Sequence, residues 1–253
     1  MPLTGKYIYC FIKEDTRKIF INSTISNVVS SVYSLPYKDI SAIVSDTNIT
    51  EIDPTRKNLR AHQHVITAIM KNYVIIPVAF GTVGSSKENV VKMIADNYNS
   101  LLEHLEYFKN KVEVGLRAVW KDDYFTEDIE NADIKFLKEK VSGKDENEVL
   151  MDKVQLGKLV KQATINKRDE YLSAIYEPLV SMAVDSNYKE ELPLKTVFSA
   201  NFLVKESDSD AFDKAVEKLC QPFEKRLDFS YTGPWPPYNF VSLKLNTDAD
   251  DKG

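Results

Sequence analysis

The apolar residues of this chain change their spacing along the sequence, and that change constrains the fold more than any other feature. Residues 7–12 and 40–44 are continuous apolar runs, which are typical of strands buried on both faces. Over residues 59–73 and 90–105 the apolar side chains recur with the period of amphipathic helices. Residues 112–120 alternate between apolar and polar, as in a strand with one face on a core. The sequence therefore predicts an α+β fold.

Local signals predict where two of the helices begin. Asp53 followed by Pro54 is expected to cap the first helix, with proline in its first turn. Ser85 with Glu88 has the spacing of a capping box ahead of the second helix. The apolar stripe over residues 90–105 keeps one phase throughout, which predicts a single continuous helix.

The second half of the chain has a different order of elements. A strand, several helices, a strand region, a helix and a strand follow one another, which suits a modified ferredoxin-like βαββαβ fold. The helical, charged stretch around residues 124–166 is expected to be an insertion after its first strand. We therefore expect an N-terminal α+β domain at residues 1–110 and the ferredoxin-like domain at residues 111–232. A Pro/aromatic C-terminal tail, residues 233–253, is expected to pack between them.

Charge and composition exclude several classes of protein. The chain has 253 residues, of which 43% are hydrophobic, so it is long and apolar enough to bury a core. Its net charge of −5 provides no long-range attraction for nucleic acid or an anionic membrane. No window approaches the roughly 20 apolar residues that span a bilayer, and no export signal is apparent. We expect a cytoplasmic protein that binds neither nucleic acid nor membrane.

The residue types that usually carry chemistry are sparse. His62 and His64 are two positions apart on a predicted helix, so they point to different faces and cannot hold one metal ion together. His62 falls on the apolar stripe and is interpreted as a hydrogen-bonded core histidine. Cys10 and Cys220 both lie in apolar patterns and are interpreted as packing residues. No catalytic signature is present, so the sequence predicts no catalytic residue, metal or cofactor, and no enzyme.

One loop invites a different interpretation. Gly81, Gly84 and Lys87 lie in the segment 81–87 between a predicted strand and a predicted helix, where backbone N–H groups can bind anions. The spacing does not match the phosphate-binding loop of nucleotide-binding enzymes. A nucleotide- or anion-binding protein or enzyme that uses this loop remains the alternative hypothesis.

Two further groups of residues are candidates for contacts. Glu113 and Arg117 lie on one face of a predicted strand, where they could form an ion pair or meet a partner. Trp235, Tyr238 and Phe240 are large rings in a proline-stiffened segment and must pack against something. They either fold back on their own protein and join two domains, or form a docking strip for another subunit.

Several segments, taken in order, resemble the gas vesicle protein L/F family. They are YIY at 7–9, residues 40–46, RAHQ at 60–63, IPVAFGTV at 76–83, residues 112–120 and YTGPWPPYNFV at 231–241. The segments beginning at Ile76 and Tyr231 are the most specific, because generic helix or strand patterns do not produce them. The second of these is most similar to a cyanobacterial-type F member.

The resemblance implies both a fold and a role. The family fold has two α+β domains, the second a modified ferredoxin-like fold with an inserted helical extension. The implied role is that of a minor, non-enzymatic component of the gas vesicle, located in a prokaryotic cytoplasm. Its implied partners are the main gas vesicle shell protein and other accessory proteins. Whether such a protein acts as an assembly factor or stays in the finished shell is left open.

Overall fold

The chain forms two compact units in a computed structural model that describes residues 4–144 and 149–242. One unit combines the residues up to Glu113 with those from Pro234 onward, and the other is the continuous segment Val114–Gly233. The first unit is thus assembled from two separate parts of the sequence. The part of the expected tail beyond residue 242 lies outside the described residues.

The first unit is built on an antiparallel sheet that follows the order β2-β3-β4-β1-β5, with β6 also paired to β1. Its elements are β1 (Gly5–Lys13), β2 (Ile19–Ile25), β3 (Val28–Tyr37), β4 (Ile40–Thr47), α1 (Arg56–Met70), β5 (Ile75–Pro77), β6 (Val83–Gly84), α2 (Lys87–Asp96) and α3 (Tyr98–Phe108). Residues 7–12 of β1 and 40–44 of β4 are fully buried, which confirms the prediction from their continuous apolar runs.

The first helix begins later than predicted. Thr55, not Asp53, is the N-cap, and its hydroxyl accepts a hydrogen bond from the backbone N–H of Asn58 at 3.2 Å. The carbonyl of Asp53 instead accepts from the N–H of Thr55 and from the side-chain amide of Asn58. Asp53 and Pro54 therefore belong to the turn that leads into the helix, and the predicted cap is wrong by two positions.

The second helical stripe is divided between two helices. Ser86, one position after the predicted Ser85, caps α2 by accepting from the N–H of Asn89 at 3.1 Å. Asn97 then leaves the helical conformation, with φ −109° and ψ 12°, and its side chain donates to the carbonyl of Met93 at 2.9 Å. The prediction of one continuous helix is wrong, because this amide ends α2 while the apolar stripe continues in phase into α3.

The second unit has a four-stranded sheet in the order β10-β7-β9-β8. Its elements are β7 (Lys111–Trp120), α4 (Asp122–Ile129), α5 (Ala132–Val141), α6 (Leu150–Tyr171), α7 (Glu177–Val180), β8 (Asp185–Tyr188), β9 (Thr196–Lys205), α8 (Ser209–Cys220) and β10 (Leu227–Trp235), where β7 and β10 continue across the unit boundaries. A π-helical turn, Leu172–Tyr176, separates α6 from α7, and Pro178 lies in the first turn of α7.

The core of the second unit lies between its sheet and its helices. Trp120 at the end of β7 packs edge to face against Phe125 of α4 and Tyr171 of α6. Its indole N–H also donates to Asp128 at 3.0 Å. Phe125 and Ile129 belong to the same buried cluster as the strands. The charged helical stretch is therefore anchored in the core of the unit at its beginning.

Candidate functional site

The segment that follows β10 packs on the first unit. Pro236 and Pro237 are buried, and a short 3₁₀ turn, Tyr238–Phe240, comes next. The Tyr238 ring lies against the core cluster of this unit, and its hydroxyl is 3.4 Å from His62 Nε2. At that length the hydrogen bond is weak, so the ring's apolar contacts provide most of the attachment.

His62 lies at the centre of an aromatic cluster. Its Nδ1 is 2.8 Å from the Tyr7 hydroxyl, its ring stacks on Tyr9, and Phe80 meets it edge to face. Burial lowers the pKa of His62 from 6.5 to about 4, and a backbone hydrogen bond with Val78 opposes this shift. The ring is thus neutral near pH 7, and its interpretation as a hydrogen-bonded core histidine is confirmed.

Glu113 is a buried carboxylate, only 3% exposed. It accepts hydrogen bonds from the backbone N–H of Asn239, at 2.9 Å, and from the side-chain amide of Asn239. Burial raises the pKa of Glu113, and these two hydrogen bonds oppose the rise. Together with the contact between Tyr238 and His62, they fasten the segment from Pro234 onward to the first unit.

The remaining predicted contact residues are more accessible. Trp235 is 39% exposed, Phe240 is half-buried, and Arg117 is exposed. Arg117 donates a hydrogen bond to the Thr196 hydroxyl at 3.3 Å, and Glu113 accepts hydrogen bonds from Asn239. Among the described residues, Glu113 and Arg117 therefore do not form the ion pair that was considered for them. Trp235 is the large ring of the tail that a partner could reach.

Backbone groups of the loop 81–87 are used within the protein. The N–H of Gly81 donates to the Tyr7 hydroxyl, that of Thr82 donates to the carbonyl of Ala79, and that of Ser85 donates to Asn89 Oδ1. The Thr82 carbonyl accepts from the N–H of Ile8, which fixes the loop to β1. Donors that already have acceptors cannot also surround a phosphate, so the geometry favours a structural role for this loop.

The structure gives little support to a metal site or to a reactive cysteine. Within residues 4–144 and 149–242, no group of three or more His, Cys, Asp or Glu side chains is placed to hold a metal ion. Cys10 and Cys220 are buried, and burial raises the pKa of both thiols, that of Cys220 to about 12. Neither sulfur is a reactive thiolate near neutral pH, in agreement with their interpretation as packing residues.

The family question is decided by comparison with known proteins. The sequence model of the family described as "Gas vesicle synthesis protein GvpL/GvpF" matches residues 5–242. This chain belongs to the gas vesicle L/F family. The resemblance seen in the sequence segments is therefore confirmed over nearly the whole chain.

Curated members of the L/F family are similar to this chain along most of its length. Gas vesicle protein F1 of Halobacterium salinarum is 21% identical over 250 residues, which cover 98% of this chain and 97% of the relative. Gas vesicle protein F of a Streptomyces species is 27% identical over 206 residues, covering 80% and 84% of the two chains. Gas vesicle protein L1 of Halobacterium salinarum is 20% identical over 94% of this chain and 90% of the relative.

Two solved structures of the L/F family share the fold. The crystal structure of gas vesicle protein GvpF from an Anabaena species superposes with a TM-score of 0.79 at 19% identity, covering 95% of this chain and 99% of the other. That of GvpF from Microcystis aeruginosa gives 0.78 at 19% identity, with 95% and 100% coverage. The mixed helix and sheet architecture predicted from the sequence is thus confirmed.

Two properties of this L/F family member were less visible in its sequence. The burial of Glu113 was missed, because a carboxylate in an alternating strand usually faces solvent. The exposed apolar side chains of α6 were also missed. Their helical spacing does not distinguish them from core residues, and the signal that does is the presence of apolar residues on more than one face of the same helix. In the described ranges, no helix is long and apolar enough to cross a bilayer.

Proposed function

We propose that this protein is a non-enzymatic accessory component of the gas vesicle that binds the main shell protein while the vesicle forms in a prokaryotic cytoplasm. The observation that carries the proposal is the match of the L/F family model over residues 5–242. Relatives named gas vesicle proteins F and L, similar over most of the chain, support it. The internally hydrogen-bonded loop 81–87 favours this role over nucleotide chemistry.

A physical argument supports the need for such a component. A shell that encloses gas requires subunits with a large apolar face, and before assembly that face would aggregate in water. A water-soluble partner that covers the face until the subunit joins the shell would prevent aggregation. The net charge of −5 on this chain suits a partner that has to stay dissolved.

The proposal includes the architecture of the second unit. A strand order of β10-β7-β9-β8 places the first and third strands of the unit at the centre of the sheet, which is the arrangement of a βαββαβ unit. Helices α4 to α7 lie between its first and second strands in the sequence. We propose that this unit is a modified ferredoxin-like fold with a helical insertion.

We place the shell-protein contact at Trp235, with Phe240 as a further candidate on the first unit and Arg117 as a separate candidate on the second. Trp235 is an indole that remains 39% exposed in a segment held in place by proline and by the contacts of Tyr238 and Asn239. A rigid, accessible aromatic ring is the kind of residue that dominates binding energy at protein interfaces. Tyr238 and Glu113 support this ring by fixing the segment rather than by contacting the partner.

The test is a pull-down of the purified protein with the main gas vesicle shell protein. The intact protein is expected to retain the shell protein, and Trp235→Ala is expected to reduce retention at least tenfold because an interface anchor is lost. Tyr107→Ala is the matched control, since Tyr107 is an aromatic residue of the same unit with a similar exposure of 41%. Circular dichroism and thermal melting verify that each variant is folded.

The outcomes separate the parts of the proposal. If Trp235→Ala abolishes retention of the shell protein and Tyr107→Ala preserves it, both the partner and the contact residue are supported. Retention that neither variant changes supports the partner and overturns the placement at Trp235. If the intact, folded protein retains no shell protein, the proposed binding is wrong.

A further inference from the structure

Helix α6 carries apolar side chains on the face that points away from its own unit. Thr164 and Tyr171, in the second half of the helix, contribute to the interior of the unit, with Val160 packed against the core. On the outward side, Met151 is 79% exposed and Leu150 is 59% exposed. A surface helix normally has polar residues on that side, so the outward face of α6 is apolar without a partner from its own unit.

The outward residues form one continuous stripe. Leu150, Val154, Lys158, Lys161 and Ile165 follow each other at intervals of three or four positions, which places them on one side of an α-helix. Val154 is 47% exposed and Ile165 is 37% exposed, and Lys158 and Lys161 are exposed between them. The stripe runs from the first turn of α6 to within two turns of its end.

Helix α5 carries an exposed aromatic ring near the start of α6. Phe136 is 64% exposed and lies one helical turn before Lys140 on α5. The Lys140 ammonium is 2.9 Å from Asp152 Oδ1 in the first turn of α6, so this side of α5 lies next to the start of α6. Asp152 lies two positions from both Leu150 and Val154 and therefore on another side of α6, so Phe136 is not part of the stripe.

The middle part of α6, which contains the stripe, is positively charged, whereas Asp152, Asp169 and Glu170 lie nearer the helix ends. Residues 153–168 contain Lys153, Lys158, Lys161, Lys167 and Arg168 and no acidic residue, in a chain whose net charge is −5. Arg168 donates to the carbonyls of Pro193 and Leu194, and Lys167 pairs with Glu170. In the described part of the chain, no ion pair engages Lys158 or Lys161, which are the two lysines on the stripe.

A glycine interrupts the stripe at its middle. Gly157 lies three positions after Val154 and four before Lys161, and a side chain added there would meet no atom within 4 Å. Glycine is the least favourable residue in a helix interior apart from proline, and packing inside this chain does not require it. The gap that it leaves allows the backbone of another element to approach α6 closely.

We propose that this outward face, defined as Leu150, Met151, Val154, Gly157, Lys158, Lys161 and Ile165, binds an amphipathic α-helix of another protein whose apolar stripe is flanked by Asp or Glu. Apolar anchors at helical spacing are the usual basis of helix-to-helix docking. The unpaired lysines select acidic flanks by charge complementarity. The inference goes beyond the proposed function, because it assigns a second surface and a partner chemistry that do not depend on the shell protein.

The arrangement favours a protein partner over a lipid surface. A helix that lies on a membrane separates its apolar residues from its basic residues onto opposite faces. On α6, Lys158 and Lys161 lie between Val154 and Ile165 on the same stripe, so insertion into lipid would bury their charges. A protein can place a carboxylate opposite each lysine while its apolar side chains fill the spaces between them.

The test uses the full-length protein and a labelled helical peptide of about 20 residues, with a leucine stripe flanked by glutamates, followed by fluorescence anisotropy. The intact protein is expected to bind the peptide, and the double variant Lys158→Glu/Lys161→Glu is expected to bind at least tenfold more weakly. A second peptide with lysines in place of the glutamates should prefer the double variant. The control is Lys214→Glu/Lys218→Glu, which makes the same charge change on exposed residues of α8 and should leave binding unchanged.

Gly157→Gln provides a second readout. Glutamine favours the helix more than glycine does, so a purely structural role predicts an unchanged or more stable protein with unchanged binding. The proposal predicts at least fivefold weaker peptide binding, because the new side chain fills the gap.

Equal affinity of the protein for both peptides, or no effect of the α6 charge reversal on binding, would overturn the proposal. Tighter binding of phosphatidylserine vesicles or single-stranded RNA than of the acidic peptide would also overturn it and assign the face to that ligand.

Discussion

At the scale of single residues, the first unit depends on polar side chains that are buried in an apolar setting. His62 is surrounded by Tyr7, Tyr9 and Phe80, and Glu113 is satisfied by Asn239. A buried polar group contributes favourably only while its partners remain in place. The residues that fix Trp235 are therefore also sensitive points for the stability of the unit.

His62 is expected to make the protein less stable in mild acid. Its folded-state pKa of about 4 lies below the ordinary value of 6.5, so between these pH values the unfolded chain binds more protons and stability falls as pH decreases. This effect lowers the free energy of unfolding by about 2 kcal/mol between pH 7.5 and pH 5. Urea denaturation of the protein and of His62→Gln at both pH values measures it.

The variant should lose this part of the pH dependence. His64→Gln is the matched control, because His64 is exposed on the same helix and lies outside the buried aromatic cluster. An identical loss of stability at pH 5 in His62→Gln and in the unchanged protein would contradict the assignment of His62 as a buried neutral ring.

At the scale of elements, two glycines next to or within helices have opposite surroundings. A side chain at Gly84, just before α2, would lie 2.5 Å from Val90 Cγ2 and 3.0 Å from Asn89 Oδ1, whereas one at Gly157 in α6 would meet nothing. Gly84→Ala is expected to destabilise the protein by about 1–3 kcal/mol through overpacking. Gly157→Ala should stabilise α6 by up to about 1 kcal/mol. Thermal and urea denaturation of both variants checks the difference in sign, and a stabilising Gly84→Ala would be the contrary result.

The elements also show how far the sequence could predict the fold. Buried strands such as residues 7–12 were predictable, because a continuous apolar run has one plausible environment. The break at Asn97 was not, because the apolar stripe keeps its phase across it and the amide that ends α2 acts through a local hydrogen bond. The cap at Thr55 was missed for a similar reason, since Asp53 and Pro54 form an equally good signal two positions earlier.

The candidate site was predictable only in its composition. The sequence showed that Trp235 and Tyr238 lie in a stiff aromatic segment, but the contact of Tyr238 with His62 joins residues 176 positions apart. The hydrogen bond of Asn239 with Glu113 joins residues 126 positions apart. No local pattern specifies such pairings, because they arise only when the sheet and helices of the first unit have assembled.

At the scale of the whole molecule, the first unit is completed by a segment that follows the second unit in the sequence. A chain shortened after Gly233 loses the buried Pro236 and Pro237 and the Tyr238 ring, and leaves Glu113 without its hydrogen bonds. Removing a packed aromatic ring costs about 3 kcal/mol or more. Amide hydrogen exchange of the shortened chain should show faster exchange in β1 and unchanged exchange in β9. The Tyr238→Ala variant should show the same pattern with a smaller increase in β1. Equal acceleration in both strands would contradict this expectation.

The discontinuous first unit has a consequence for synthesis. A polypeptide emerges from the ribosome in sequence order, and continuous units usually fold as they appear. Here the segment Val114–Gly233 is ready to fold first, while β1 and α1 wait for residues 234–242 to be translated. A chain whose synthesis stops early, or whose last part is clipped by a protease, would leave the His62 cluster uncovered and open to cellular quality control. Only chains translated through this segment would then persist in the cell.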